Sequence, residues 1–147
     1  MQIAIAVQED IPELCRLLTI LFSQEEDFQP DEAAQSRGLS AIIADPQVGH
    51  ILVARQDGVV IGMVNLLYTI STALGDRVGL LEDMVVDADI RGSGAGSLLL
   101  KQAIELARTN GCKRITLLTD RTNEAAQRFY QRHGFTSSAM TPLRLML

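Results

Sequence analysis

Residues 82–107 read EDMVVDADIRGSGAGSLLLKQAIELA, an apolar run that passes through a glycine-rich turn into an amphipathic repeat. In the turn, Gly92, Gly94 and Gly96 alternate with Ser93 and Ala95. A backbone without Cβ atoms reaches positive φ and comes close to a ligand. The amides that open the following helix have no acceptor inside it, and the helix dipole adds partial positive charge at the same end. A phosphate or pyrophosphate is the natural occupant, and Arg91 at the edge of the turn supplies a charge-assisted donor. Two common phosphate-binding patterns do not fit. The dinucleotide pattern requires a third glycine where Ser97 stands. The nucleoside-triphosphate loop requires Lys and then Ser or Thr after its last glycine, whereas Ala95 follows Gly94 and Ser97 follows Gly96.

Working outward, VGLLEDMVV (78–86) reads as a strand, and the repeat after the turn reads as a helix with Leu98, Leu99, Ala103, Leu106 and Ala107 on its apolar side. Gly111 is a natural stop for that helix, and KRITLLTD (113–120) is a β-rich run. Strand, helix and strand in this order predict a parallel neighbour pair. HILVARQDGVVIGMVNLLYTI (50–70) predicts a hairpin, because two β-rich runs flank Asp57 and Gly58. QIAIAV (2–7) alternates as a strand does. EDIPELCRLLTILF (9–22) predicts a helix capped by Asp10, with Pro12 and Glu13 in its first turn. SQEEDFQPD (23–31) is a polar loop, DEAAQSRGLSAIIAD (31–45) a second helix and NEAAQRFYQRHG (123–134) a further helix. FTSS (135–138) and PLRLML (142–147) are expected as final strands. The fold class is α/β (α+β): one mixed, mostly antiparallel central sheet with helices on both faces.

The chain of 147 residues suits a single domain, 1–147, and its 47% apolar and 21% charged residues are those of an ordinary globular protein. Aromatics are only 4%, so aliphatic side chains must fill the interior. A net charge of −5 speaks against a general nucleic-acid binder, which needs clustered cations. No apolar stretch reaches the ~18 residues of a membrane span, and no secretory signal is expected at the N-terminus. Cys15 and Cys112 lack metal-ligand spacing. They are expected to be reduced thiols in a cytoplasmic protein without a bound metal.

MVVDADIRGSGAG (84–96) resembles the first motif of the GNAT superfamily of N-acetyltransferases. That motif is an apolar strand ending in Val, then x-P-x-x-(R/Q)-x-x-G-x-(G/A). Val86, Arg91, Gly94 and Gly96 fall in register, and Ala88 stands where the family usually has Pro. NEAAQRFYQRHGF (123–135) is similar to a second element of the family, with Asn123, Ala126, Phe129, Tyr130, Gly134 and Phe135 in place. The resemblance is to a small single-domain member of bacterial type. It implies a central sheet whose parallel strand pair splays apart, and transfer of an acetyl group from acetyl-CoA, as co-substrate, to an amine.

The resemblance assigns the CoA pyrophosphate to Arg91, Gly92, Ser93, Gly94, Ala95, Gly96 and Ser97. It assigns the pantetheine arm to the backbone of Met84, Val85 and Val86, and a further cofactor contact to Asn123. Asn123 equally reads as the N-cap of its helix. Tyr130 matches the family's general acid for the departing thiolate. An alkylammonium is neutral in only about one molecule in two thousand at pH 7, so a base is needed. Glu82, on the strand that leads to the cleft, is the candidate, while Asp83 as its neighbour would face the other side of a regular strand. His50 and His133 are poor candidates because of their positions in the chain. The acidic loop 23–31 lies where acceptors enter this fold, so Glu26 and Phe28 are candidate substrate contacts for a small-molecule or peptide amine. A homodimer through the apolar C-terminal strand is also expected. The alternative to an enzyme is a non-catalytic acyl-CoA-binding module.

Overall fold

The computed structural model describes residues 1–25 and 29–147. Its strands β1 (Gln2–Ile5), β2 (Gly49–Gln56), β3 (Val59–Ser71), β4 (Asp76–Val86) and β5 (Ile115–Leu117) lie side by side in that order in one sheet. Helices α1 (Ile11–Phe22) and α2 (Glu32–Ala44) precede β2, α3 (Ala95–Thr109) joins β4 to β5, and α4 (Glu124–Arg132) comes after β5. Pairing is antiparallel from β1 to β4 and parallel between β4 and β5. The β2–β3 turn is as the sequence requires, with Asp57 at φ 52° and Gly58 at φ 79°.

Alternation along the strands supplies the two faces. Ile51, Val53 and Met63 pack with Leu14, Leu17 and Leu18 of α1 and Leu39 of α2. Leu52, Val64, Leu66 and Leu81 pack with Leu99, Leu100, Ala103 and Ala107 of α3. Each wholly buried leucine in these layers is worth about 1.5–3 kcal/mol relative to an exposed one. Partly buried Phe129, Tyr130 and Phe135 fasten α4 to the α3 layer.

The pairing of β3 with β4 is irregular at one place. Met63 pairs with Val85 and Asn65 with Glu82, so three steps on β4 match two on β3. Leu81 and Met84 accordingly both face the α3 layer although they stand three positions apart. This is a β-bulge, and Asp83 within it has φ 54°.

Three expectations are corrected. Residues 135–147 form no strand. Thr136, Ser137 and Ser138 offer no apolar face to bury and Pro142 cannot donate to a ladder, so the segment lies exposed, Leu143 at 95%. The apolar strand invoked for a homodimer is therefore not formed. The β-rich run 113–120 contributes only three residues to the sheet. Asp10 does not cap α1: its carboxylate accepts from the Val7 amide at 2.9 Å in a preceding 3-10 turn and pairs with Arg55. Asp31, by contrast, caps α2 through the Ala34 amide at 3.1 Å.

Candidate active site

The parallel pairing of β4 with β5 ends at Leu81 and Leu117. Beyond that pair the two strands part, and a cleft of about 430 Å³ opens between them. Residues 81–84 form one wall and 117–120 the other, with Asn123, Ala126 and Tyr130 of α4 alongside. Leu21, Gln24 and Glu25 close one end, and Pro142, Leu143 and Arg144 of the C-terminal segment also reach it. The expected splay is thus present, and it brings together three residues that the sequence singles out: Glu82, Tyr130 and Asn123.

The bulge overturns the expectation that Glu82 and Asp83 face apart. Both residues border the cleft. Burial pushes the Glu82 carboxyl above its usual value, the charge of Asp83 pushes it further, and Arg144 opposes the shift. Burial likewise raises Asp83, opposed by a hydrogen bond that Asn65 Nδ2 donates to Asp83 Oδ2 at 2.7 Å. Asn65 itself is only 3% exposed, on the face of β3 that looks toward α1 and α2. Sequence spacing does not point to Asn65 or Asp83 as site residues. The available signal is a polar Asn interrupting the apolar run GMVNLLYTI (62–70).

Tyr130 packs edge-on against Phe129 and Phe135, with ring centroids 5.3 and 5.8 Å away. Burial, with the charge of Glu25 second, pushes its phenol up to about 12, so it is protonated at every physiological pH. Asn123 caps α4 by accepting from the Ala126 amide at 3.1 Å, while its side chain still borders the cleft.

The glycine turn stands where β4 leads into α3. Gly92 and Gly94 both have φ 89°, and a Cβ on either would meet nothing within 4 Å, so glycine is required there for its backbone and not for space. Gly94 caps α3 in the left-handed region. The Ala95 amide reaches Ser93 Oγ at 3.4 Å and the Leu98 amide reaches Gly94 O at 3.0 Å. The amides of Gly96 and Ser97 have no acceptor among the described residues. That is a cradle of free donors at a helix N-terminus, suited to an anion. Arg91 lies beside it, its Nε donating to Val86 O at 3.4 Å. Val85 and Val86 pair with β3 and Met84 lies at the bulge, while no β5 residue pairs with any of the three, which leaves the β5 side of that backbone open beyond the splay.

Other expectations separate from the cleft. His50 Nδ1 lies 2.7 Å from the Tyr68 hydroxyl, and His133 Nδ1 donates to Phe129 O at 2.9 Å, so both histidines are held in local packing. Glu26 and Phe28 lie outside the described residues; Glu25 of the same acidic loop does border the cleft. Among the described residues no group of His, Cys, Asp or Glu is arranged to hold a metal, and no helix is long and apolar enough to cross a membrane.

The chain is similar to known proteins. The sequence profile of the Acetyltransferase (GNAT) family matches residues 11–135. The aminoalkylphosphonate N-acetyltransferase of Salmonella typhimurium is 33% identical over 133 residues, which are 90% of this chain and 83% of that protein. YhfO of Bacillus subtilis, an uncharacterized N-acetyltransferase, is 33% identical over 118 residues, 78% of each chain. The solved structure of ribosomal-protein-alanine N-acetyltransferase from Brucella melitensis shares the fold, with a TM-score of 0.78 over 100% of both chains at 20% identity. The match runs through the glycine turn, the splayed strands and α4 alike, and the chain therefore belongs to the Acetyltransferase (GNAT) family and is an acetyltransferase.

Proposed function

We propose that the enzyme moves an acetyl group from acetyl-CoA to a primary amine by direct attack of the nitrogen on the thioester. The observation that carries this reading is the cleft at the splay. It gathers the Glu82 carboxylate and the Tyr130 phenol beside a backbone edge that leads to the glycine turn. The diphosphate of the carrier rests on the amides of Gly96 and Ser97, with Arg91 as added charge and residues 92–95 shaping the turn. The pantetheine arm lies along the open edge of Met84, Val85 and Val86, as an added strand would. Asn123 borders the arm while capping α4.

The amine arrives as ammonium and gives one proton to Glu82, directly or through water. Its lone pair then forms the C–N bond, the C–S bond breaks, and the sulfur departs with the bonding pair. In sum, ammonium and thioester give amide, CoA thiol and one proton. A phenol at about 12 is a poor net proton donor to a thiolate near ~8.5, the transfer being uphill by roughly 5 kcal/mol. Tyr130 therefore stabilises the departing sulfur by donating a hydrogen bond, and the proton that ends on sulfur comes from the nitrogen. Positioning both substrates in one cleft contributes alongside these groups.

The domain is taken as residues 1–147. The test is free-thiol release from acetyl-CoA across a panel of primary amines. Amine-dependent release is expected; acetyl-CoA binding with no release from any amine would instead favour a non-catalytic acyl-CoA-binding module.

A further inference from the structure

The glycine turn is reached through a short exposed stretch. After β4 ends at Val86, the chain passes through a 3-10 turn (Ala88–Ile90) to Arg91 and the glycines. Ala88, Asp89 and residues 91–94 are exposed, while Ile90 packs into the α3 layer. The hydrogen bonds of residues 88–94 among the described residues stay within 86–98. The Ile90 amide donates to Asp87 O at 3.0 Å, the Ser93 amide to Ile90 O at 3.2 Å and Arg91 Nε to Val86 O at 3.4 Å. A turn that stands off the body in this way takes its order from its ends. Asp87 is the first of these ends. Its amide donates to Ile61 O at 2.8 Å, and its carboxylate accepts from Arg16 Nη1 at 2.9 Å, from α1 and 71 residues earlier in the chain. Arg16 engages its other two nitrogens as well: Nε donates to Glu13 Oε2 at 2.8 Å and Nη2 to Val60 O at 3.2 Å. One guanidinium thus joins α1, β3 and the entrance to the turn.

We propose that Arg16 is a positioning residue for the cofactor: through Asp87 it holds the glycine turn in the geometry that receives the CoA diphosphate. The assignment rests on the reading of the turn as the diphosphate seat. Free amides bind an anion well only if they already converge before it arrives, since ordering them at binding costs affinity. A turn that is competent in only a fraction of molecules binds with its Kd raised by the inverse of that fraction. Asp87 has φ −51° and ψ 135°, the extended conformation that a following proline imposes. Residue 88 is alanine and imposes nothing of the kind. The Ala88 amide donates to no group among the described residues, and position 88 opens a 3-10 turn, so proline would fit there without loss of a hydrogen bond. The Arg16 guanidinium therefore holds Asp87 from outside, where proline would hold it from within.

The test is CoA binding by calorimetry to the wild type, Arg16→Met, Ala88→Pro and the double variant. Methionine keeps an unbranched stem and the helix propensity while removing the guanidinium. Arg16→Met should raise the CoA Kd about fivefold, equivalent to about 1 kcal/mol at about 1.4 kcal/mol per tenfold. That is the upper end for a partly exposed ion pair, these two side chains being 39% and 23% exposed. Ala88→Pro alone should change Kd by less than about twofold, because Asp87 is already held. In the Arg16→Met background it should return Kd to within about twofold of the wild type. A general loss of packing would not depend on residue 88 in this way, so the restoration separates positioning from stability. A wild-type Kd in Arg16→Met, or weakened binding that Ala88→Pro does not restore, overturns the role of Arg16 while the diphosphate seat stands. Gly94→Val tests the seat itself and should abolish binding, because a β-branched residue is not tolerated at φ 89°. Unchanged affinity in Gly94→Val, or a wild type that does not bind CoA, removes the seat and the role of Arg16 with it.

Discussion

Asn65 on β3 donates to Asp83 in the bulge of β4 across 2.7 Å, and Asp83 holds φ 54° as it accepts. The bulge brings Asp83 to the cleft beside Glu82, and the buried charge of Asp83 is a burden on folding. Burial raises the Asp83 pKa above its unfolded value, so the folded state binds its proton more tightly. The stability tied to that proton is complete below the unfolded pKa and declines as pH rises through the raised one. Asp83→Asn is therefore expected to hold or raise Tm at pH 7, with the gap closing in acid, because Asn is neutral and tolerates positive φ. Asp83→Ala should cost about 1–2 kcal/mol, since its Cβ must sit in the left-handed region without the local hydrogen bond. Thermal melts at pH 7 and pH 4 check both; a lower Tm for Asp83→Asn at pH 7 would contradict a destabilising charge at this position.

The acid limb of the kcat/KM profile should lie above the ordinary glutamate value, because the base must be ionised and burial and Asp83 both raise Glu82. Removing the neighbouring negative charge lowers that pKa. Asp83→Asn should thus move the limb to lower pH, while Glu82→Gln should abolish it and reduce the rate by about 10²–10⁴-fold. A pH–rate series on the wild type and the two variants is the measurement. An unmoved limb in Asp83→Asn would sever Glu82 from it.

Tyr130→Phe keeps the edge-on packing against Phe129 and Phe135 and removes only the hydroxyl. Turnover is expected to fall by about 10²-fold with little change in the KM for acetyl-CoA. Unchanged kcat would remove Tyr130 from the chemistry.

Gly38→Ala is expected to stabilise the protein by about 0.5–1 kcal/mol. Gly38 lies inside α2, outside the positive-φ region, and a Cβ there meets nothing within 4 Å. A denaturant titration checks it, and a lower midpoint would indicate that the helix needs the glycine.

Where local chemistry determines the answer, the sequence is legible. Asp57 and Gly58 specify their turn, and the glycines of 92–96 specify a helix N-terminus with exposed amides. The alternation of 51–54 separates the two layers, and Tyr130 and Asn123 arrive at the cleft that their motif implies. The features that spacing misses depend on partners far along the chain. No run of residues announces that β4 carries one residue more than β3 across Asn65, so regular alternation turns Asp83 away from Glu82 where the bulge turns it back. The C-terminal segment has apolar residues at strand-like spacing, yet no neighbouring edge pairs with it. Asp10 has the position of a cap, but sequence spacing cannot show Arg55 competing for its carboxylate.

The most direct test of acetyl transfer at the splay is a crystal structure of the protein with CoA bound. The diphosphate on the amides of Gly96 and Ser97, the arm along residues 84–86 and the sulfur within reach of the Tyr130 hydroxyl constitute the expected result. CoA seated away from the glycine turn, or with its sulfur remote from Glu82 and Tyr130, would contradict it.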